Sequence, residues 1–270
     1  MINSSQLQAR EVGFATINGT STAYRHIGTG PALLLLHGGE GSHAMFDRLA
    51  ALLVDSFTLI LYDQRDCGDT RNPTEVAVGL ELLADDAKAL VLHLGYTKAH
   101  VFGTSFGGRL AQILALRHPE MIDRLVLGST WPVPQTLAHL DPEGRTRINA
   151  LRQGLPDTAE ELAAQFIDPD HFALHPELKD LFKNVAPGSE RSRRRAVALA
   201  DNPAADAASI RAPTLLLCGE RDRVVKPTFT LGMASLISGA EQVLLPGVGH
   251  STSLQAPERV AAELKRFLLR

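Results

Sequence analysis

The chain has 270 residues, 44% hydrophobic, 5% aromatic and 21% charged, with 27 Lys+Arg against 30 Asp+Glu for a net charge of -3. That balance gives no support to a nucleic-acid binder, a base-stacking platform or a disordered chain. Cys67 and Cys218 lie far apart and form no CxxC pair, which speaks against a cysteine zinc site, a dithiol redox motif or a disulfide framework.

The start of the chain, Met1 to Gly13, is polar and carries no apolar h-region. The longest apolar runs fall far short of the roughly 18–20 residues of a membrane span. The expectation is a cytoplasmic protein without a membrane or nucleic-acid partner. Its oligomeric state is open between monomer and homodimer.

Taken in order, the chain opens on two strand-like segments, Val12–Ile17 and Thr22–Ile27, joined at Asn18-Gly19. That dipeptide favours a tight hairpin, so the sheet begins antiparallel. Next come the apolar runs Ala32–Leu36 and Thr58–Tyr62, then a helical pattern through Leu83, Ala87, Leu90, Val91 and Leu94. His100–Phe102 and Leu125–Leu127 are further short runs, as are Thr214–Cys218 and Gln242–Leu245. They lack polar alternation, as strands covered on both faces do. Val260, Ala261, Leu264, Phe267 and Leu268 mark a last helix. Strand and helix in alternation predict a doubly wound α/β sheet.

The alternation breaks between Trp131 and Ile210, where prolines from Pro132 to Pro203 punctuate short helical stretches. Residues 1–130 and 211–270 therefore read as one core domain, and 131–210 as a helical insertion. Within it, Glu190-Arg-Ser-Arg-Arg-Arg195 reads as a solvated helix face, with an anion or nucleic-acid site as the alternative.

Gly103-Thr-Ser105-Phe-Gly107-Gly108 carries the chemistry. It follows a predicted strand and precedes a helix through Leu110, Ile113 and Leu114, the context a G-x-S-x-G nucleophile turn needs. The turn would lift the Ser105 hydroxyl above the sheet and leave the Phe106 amide free for a developing oxyanion. The motif is neither a dinucleotide fingerprint nor a phosphate loop. A serine needs a base, and His250 in Pro246-Gly-Val-Gly-His250 follows a strand on a glycine-rich loop. The imidazole in turn needs an orienting carboxylate. Asp222, in Gly219-Glu-Arg-Asp222, is preferred to its neighbour Glu220 by position. The order Ser, Asp, His suits a nucleophile elbow. The second oxyanion donor is expected in His37-Gly38-Gly39-Glu40-Gly41, at Gly39, with His37 in a structural role. Gly38, Glu40 and Trp131 are the candidate substrate contacts. Trp131 reads equally as a pocket wall or a hinge-packing residue. His139, His171 and His175 lie in the insertion and are weaker candidates for its pocket face. With few aromatic residues there, the pocket is expected to have aliphatic and polar walls and to suit a small, mostly uncharged substrate.

Five motifs in order resemble the α/β-hydrolase fold superfamily across nearly the whole chain: Leu36-His-Gly-Gly39, Tyr62-Asp-Gln-Arg-Asp-Cys-Gly68, Gly103–Gly108, Gly219–Asp222 and Gly249-His250. The resemblance implies an α/β-hydrolase fold: a mostly parallel eight-stranded sheet flanked by helices, with a helical cap inserted after strand six. It implies a serine esterase that cleaves a small-molecule ester through Ser105, His250 and Asp222, with no metal or organic cofactor. The His-Gly-Gly-x-Gly and Asp-Gln-Arg pairing also resembles proline iminopeptidases. Those carry Pro where Glu40 stands and Gly where Asp66 stands, and hold a free amine with acidic cap residues. Glu143, Glu160, Glu161 and Glu177 are the cap carboxylates here. The Asp63–Gly68 form resembles ester hydrolases of the aclacinomycin methylesterase type. A lactonase, a carbon–carbon bond hydrolase and a ligand receptor on the same scaffold are the remaining alternatives.

Overall fold

Asn18 and Gly19 both take positive φ, 45° and 77°, the backbone that a two-residue hairpin demands and that Asn and Gly tolerate best. They join β1 (Gly13–Ile17) to β2 (Thr20–Gly28) in antiparallel register, Ile17 opposite Thr20. The computed structural model describes residues 12–39, 41–72, 78–179 and 190–270.

The remaining strands are β3 (Ala32–Leu36), β4 (Thr58–Tyr62), β5 (Ala99–Thr104), β6 (Ile122–Gly128), β7 (Thr214–Gly219) and β8 (Glu241–Leu245). They form one eight-stranded sheet of order β1-β2-β4-β3-β5-β6-β7-β8. β2 meets β4 antiparallel, and every later pair is parallel. The predicted mostly parallel α/β sheet with an antiparallel start is therefore present. All six apolar runs sit inside strands.

The helices in chain order are α1 (Asp47–Leu53), α2 (Leu80–His93), α3 (Phe106–Arg117), α4 (Leu137–Leu140), α5 (Pro142–Gln153), α6 (Ala159–Phe166), α7 (Pro169–Leu174), α8 (Glu190–Ala200), α9 (Pro227–Gly232), α10 (Thr252–Gln255) and α11 (Pro257–Leu268). The strand period of two sorts the central side chains between two layers. Leu34, Leu36 and Ile60 pack with Leu83, Leu90 and Leu114 of α2 and α3. Leu33, Leu35, Leu59 and Leu61 pack with Leu49, Leu53, Val260 and Leu264 of α1 and α11. Both faces are covered, which is why these strands are apolar throughout.

Between β6 and β7 the described residues hold helices and turns, α4 to α8 among them, and no strand. Among the described residues no helix is long and apolar enough to cross a membrane.

Candidate active site

The glycines around Ser105 are required by close backbone approach. A Cβ on Gly103 would sit 2.2 Å from the Gly107 carbonyl oxygen, and one on Gly107 2.1 Å from that of Leu36. The chain can therefore leave β5 and enter α3 in one tight turn. Ser105 sits at its apex with φ 55° and ψ −121°, a conformation that costs about 1–3 kcal/mol and persists only when its surroundings impose it. They do so here. The Ser105 amide donates to Gly128 O at 2.9 Å, and its carbonyl accepts from the Gly108 amide at 2.9 Å and the Thr130 hydroxyl at 2.7 Å. Phe106 opens α3, where the first amides have no intrahelical acceptor.

His250 is buried on the loop after β8. Its Nδ1 donates to Asp222 Oδ2 at 2.8 Å. The other carboxylate oxygen of Asp222 accepts from the amides of Val224 and Val225 at 2.9 and 2.8 Å. Asp222 is thus fixed by backbone, holds the proton on Nδ1 and leaves Nε2 as a base. Phe166 of α6 stands edge-on to the imidazole, ring centroids 5.4 Å apart. Glu220, the rival carboxylate, accepts from the Gly247 amide at 2.9 Å and is exposed; it closes the turn after β8.

The loop after β3 is ordered by His37, which is fully buried. Its Nε2 accepts from the Gln64 amide at 3.1 Å, so Nδ1 carries the proton and donates to Gly38 O at 2.8 Å. In a trans peptide, C=O and N–H point opposite ways, so pinning the Gly38 carbonyl also sets the direction of the Gly39 N–H. Burial, and then the positive charge of Arg195, lower the His37 pKa to about 4. The ring is therefore neutral near pH 7.

Asp63-Gln-Arg65 serves as scaffolding for this loop. Asp63 accepts from the His43 amide and Nδ1 at 2.7 and 2.8 Å and from the Asp69 amide at 2.7 Å. Gln64 Nε2 donates to His37 O at 2.9 Å. Arg65 pairs with Asp86 on α2. The motif is legible in the sequence; these partners are not.

Ser105, His250, Phe106, Gly38, Gly39 and Trp131 all line one cavity of about 650 Å³. Asp222 lies behind His250. Glu40 falls outside the described residues. Trp131 is buried, donates Nε1–H to Gln135 O at 3.1 Å and stands 5.4 Å from the Arg109 guanidinium. It lines the cavity and packs the start of the helical segment at once.

The rest of the wall is largely aliphatic and polar, as expected, with Met45, Leu137, Val224, Thr136 and Ser253 among its residues. Rings of Phe106, Trp131 and Phe166 join Ile148, Leu162 and Leu199, and three arginines, Arg109, Arg145 and Arg152, and one carboxylate, Asp141, also line the cavity. Among the described residues His139, His171 and His175 do not line it, and Glu143, Glu160 and Glu161 are exposed.

The basic cluster on α8 is not a solvated face. Arg194 pairs with Asp66 at 2.7 Å, Arg191 donates to the carbonyls of Asp66 and Gly68, and Arg195 is buried against the β3 loop. No local pattern marks this docking, because apart from Glu190 the acceptors, side-chain and backbone alike, lie on the β3 loop and the segment Gln64–Gly68, far away in sequence.

The family model described as alpha/beta hydrolase fold matches residues 31–257. A curated protein of Agrobacterium fabrum, provisionally named a carbamate hydrolase, is 30% identical over 249 residues, 88% of this chain and 93% of its own. The proline iminopeptidase of Lactobacillus helveticus is 28% identical over 288 residues, 93% of this chain and 95% of its own. A thermophilic esterase of known structure from Thermogutta terrifontis superimposes with a TM-score of 0.81 at 25% identity, over 96% of this chain and 98% of its own. With this sheet, these motifs and a match over most of its length, the chain belongs to the alpha/beta hydrolase fold family of enzymes.

Proposed function

We propose that the protein is a serine hydrolase that cleaves a small carboxylic ester through an acyl-enzyme. The observation that carries this reading is the Asp222–His250 pair, held at 2.8 Å, on the same cavity as the elbow serine. Ser105 Oγ attacks the ester carbonyl carbon while His250 Nε2 takes its proton. Asp222 stabilises the imidazolium. The Phe106 and Gly39 amides receive the oxyanion, each donor being worth about 3–4 kcal/mol. The C–O bond to the alcohol then breaks as His250 returns the proton to that oxygen. Water, activated by the same imidazole, releases the acid and restores Ser105. The route calls on no metal or organic cofactor. The helical segment 131–210 acts as a cap that closes the cavity and selects the substrate.

Two observations refine the substrate. The exposed positions of Glu143, Glu160 and Glu161 leave Asp141 as the one carboxylate on the described wall, the Glu177 side chain lying outside the described residues, and this disfavours an iminopeptidase. Three lining arginines against one lining aspartate favour a substrate with a carboxylate or another electron-rich group.

Ser105→Ala is the test, assayed with p-nitrophenyl acetate, a lactone and a prolyl arylamide. Loss of ester turnover with the fold intact, and a wild-type arylamide rate far below the ester rate, support the esterase. Full activity in Ser105→Ala would sink the serine mechanism. A dominant arylamide rate would restore the iminopeptidase, and failure of a fluorophosphonate to label Ser105 would favour a ligand receptor.

A further inference from the structure

Arg195 is 4% exposed, yet it has no carboxylate among its described hydrogen-bond partners. Its Nε donates to the Gly39 carbonyl at 2.5 Å and its NH2 group to Gln64 Oε1 at 2.7 Å. Its guanidinium lies over the Phe106 ring, 4.7 Å from the centroid. One turn further along α8, Leu199 closes on the same spot: a Cβ on Gly39 would meet Leu199 Cδ2 at 2.7 Å. Residues four apart share a helix face, so α8 presents a cation and an apolar wedge to one glycine.

These contacts converge on the two residues whose amides the ester-hydrolase reading assigns to the oxyanion. His37 sets the peptide before Gly39 through the Gly38 carbonyl, and Arg195 sets the peptide after it through Gly39's own carbonyl. Gln64 ties the two anchors together, donating to His37 O and accepting from Arg195. Burying a guanidinium without a carboxylate is costly unless its charge is used or well satisfied. Here its acceptors are two neutral oxygens and a ring face.

We propose that Arg195 is a positioning residue for the oxyanion site: from the helical segment, it fixes the Gly39 peptide and the Phe106 ring so that both amides meet the tetrahedral intermediate. The inference rests on the serine-hydrolase reading. It adds that the oxyanion site is completed by α8, and so depends on that helix being docked.

The test compares wild type with Arg195→Met, Arg195→Lys and Arg194→Met. Each is assayed for kcat and KM on a p-nitrophenyl ester, and for Ki of an aryl trifluoromethyl ketone, whose adduct with Ser105 carries the oxyanion. Loosening a donor by a fraction of an ångström is expected to cost about 10–100-fold in kcat. Arg195→Met should show that loss with KM within about twofold, and the ketone Ki should weaken by the same factor. Arg195→Lys, keeping one donor where two are needed, should recover part of it. Arg194→Met removes the neighbouring ion pair to Asp66 but no contact to Gly39, and should stay within about threefold of wild type. Unchanged kcat in Arg195→Met, or a rise in KM alone, would overturn the proposal. So would equal losses in Arg194→Met and Arg195→Met, which would mean general docking of the helix. If Arg195→Met does not fold, an unchanged kcat and ketone Ki in Arg195→Lys overturn it instead. Fluorophosphonate labelling of Ser105 in wild type separates these outcomes from failure of the serine reading itself.

Discussion

His37 Nδ1 lies 2.8 Å from the carbonyl oxygen of Gly38, and Nε2 of the same ring accepts from the Gln64 amide. Both nitrogens are committed, and only the neutral ring can satisfy both, because a protonated ring has no acceptor for Gln64. The imidazole therefore acts as a fixed strut beneath the Gly39 amide, with no free nitrogen for proton transfer.

This strut carries a pH signature. Its pKa is lowered from 6.5 to about 4 by burial and then by Arg195. The unfolded chain takes up a proton as pH falls through 6.5, while the folded protein refuses it until about 4. The stabilisation is complete above pH 6.5 and is lost progressively between those values, amounting to about 3 kcal/mol for this buried group. Denaturant midpoints between pH 7 and pH 4 should fall accordingly, and His37→Gln should flatten that part of the profile. An equally steep profile in His37→Gln would remove His37 as its source.

Asp222 offers a test of tautomer control. Its Oδ1 is held by the amides of Val224 and Val225, so Asp222→Asn must keep its oxygen there and turn its NH2 toward His250. Nδ1 then becomes an acceptor, the proton moves to Nε2, and the base is lost. A fall in kcat of about 10⁴-fold with unchanged thermal stability is expected. Near wild-type turnover would show that Asp222 does not orient the imidazole.

The elbow glycine predicts a stability effect rather than a chemical one. In Gly107→Ala the new Cβ meets the Leu36 carbonyl oxygen at 2.1 Å, a backbone atom of a central strand that cannot step aside. Overpacking of this kind costs about 1–3 kcal/mol or more. Gly19→Ala, where nothing lies within 4 Å but φ is +77°, should cost only about 1 kcal/mol through backbone strain. Chemical denaturation of the two variants should rank them in that order; the reverse order would contradict the packing of the elbow against β3.

The arginine-lined wall predicts a substrate charge effect. A half-ester bearing a free carboxylate should show a kcat/KM about tenfold above its neutral isostere at low salt, and the preference should shrink as ionic strength rises. Arg152→Met should reduce it without changing turnover of the neutral ester. A preference for the neutral ester at every salt concentration would rule out an anion-selective cavity.

Much of the fold was legible because it depends on local chemistry. Asn18-Gly19 can close only one kind of hairpin. Uniformly apolar runs such as Ala32–Leu36 suit only a strand covered on both faces. The glycines flanking Ser105 mark a tight strand–helix turn, whatever the rest of the chain does. The candidates for nucleophile, base and acid follow from such signals, because each falls on a loop at a strand's end.

What only the tertiary structure decided are the relationships between segments distant in sequence. Glu220 and Asp222 are two residues apart and chemically alike. The difference is that the backbone turn after β7 points one at His250 and the other at Gly247. The basic run of α8 has the composition of a solvated face, and Arg195 becomes buried only because that helix crosses the β3 loop, 156 residues earlier in the chain. The cavity also gathers Arg109 from α3 and Arg145 and Arg152 from α5. The opening arithmetic, a near-neutral chain of 270 residues with a net charge of -3, holds for the molecule as a whole. A summed charge carries no information about position, and folding brought three arginines and one aspartate of the described residues onto the wall of one cavity.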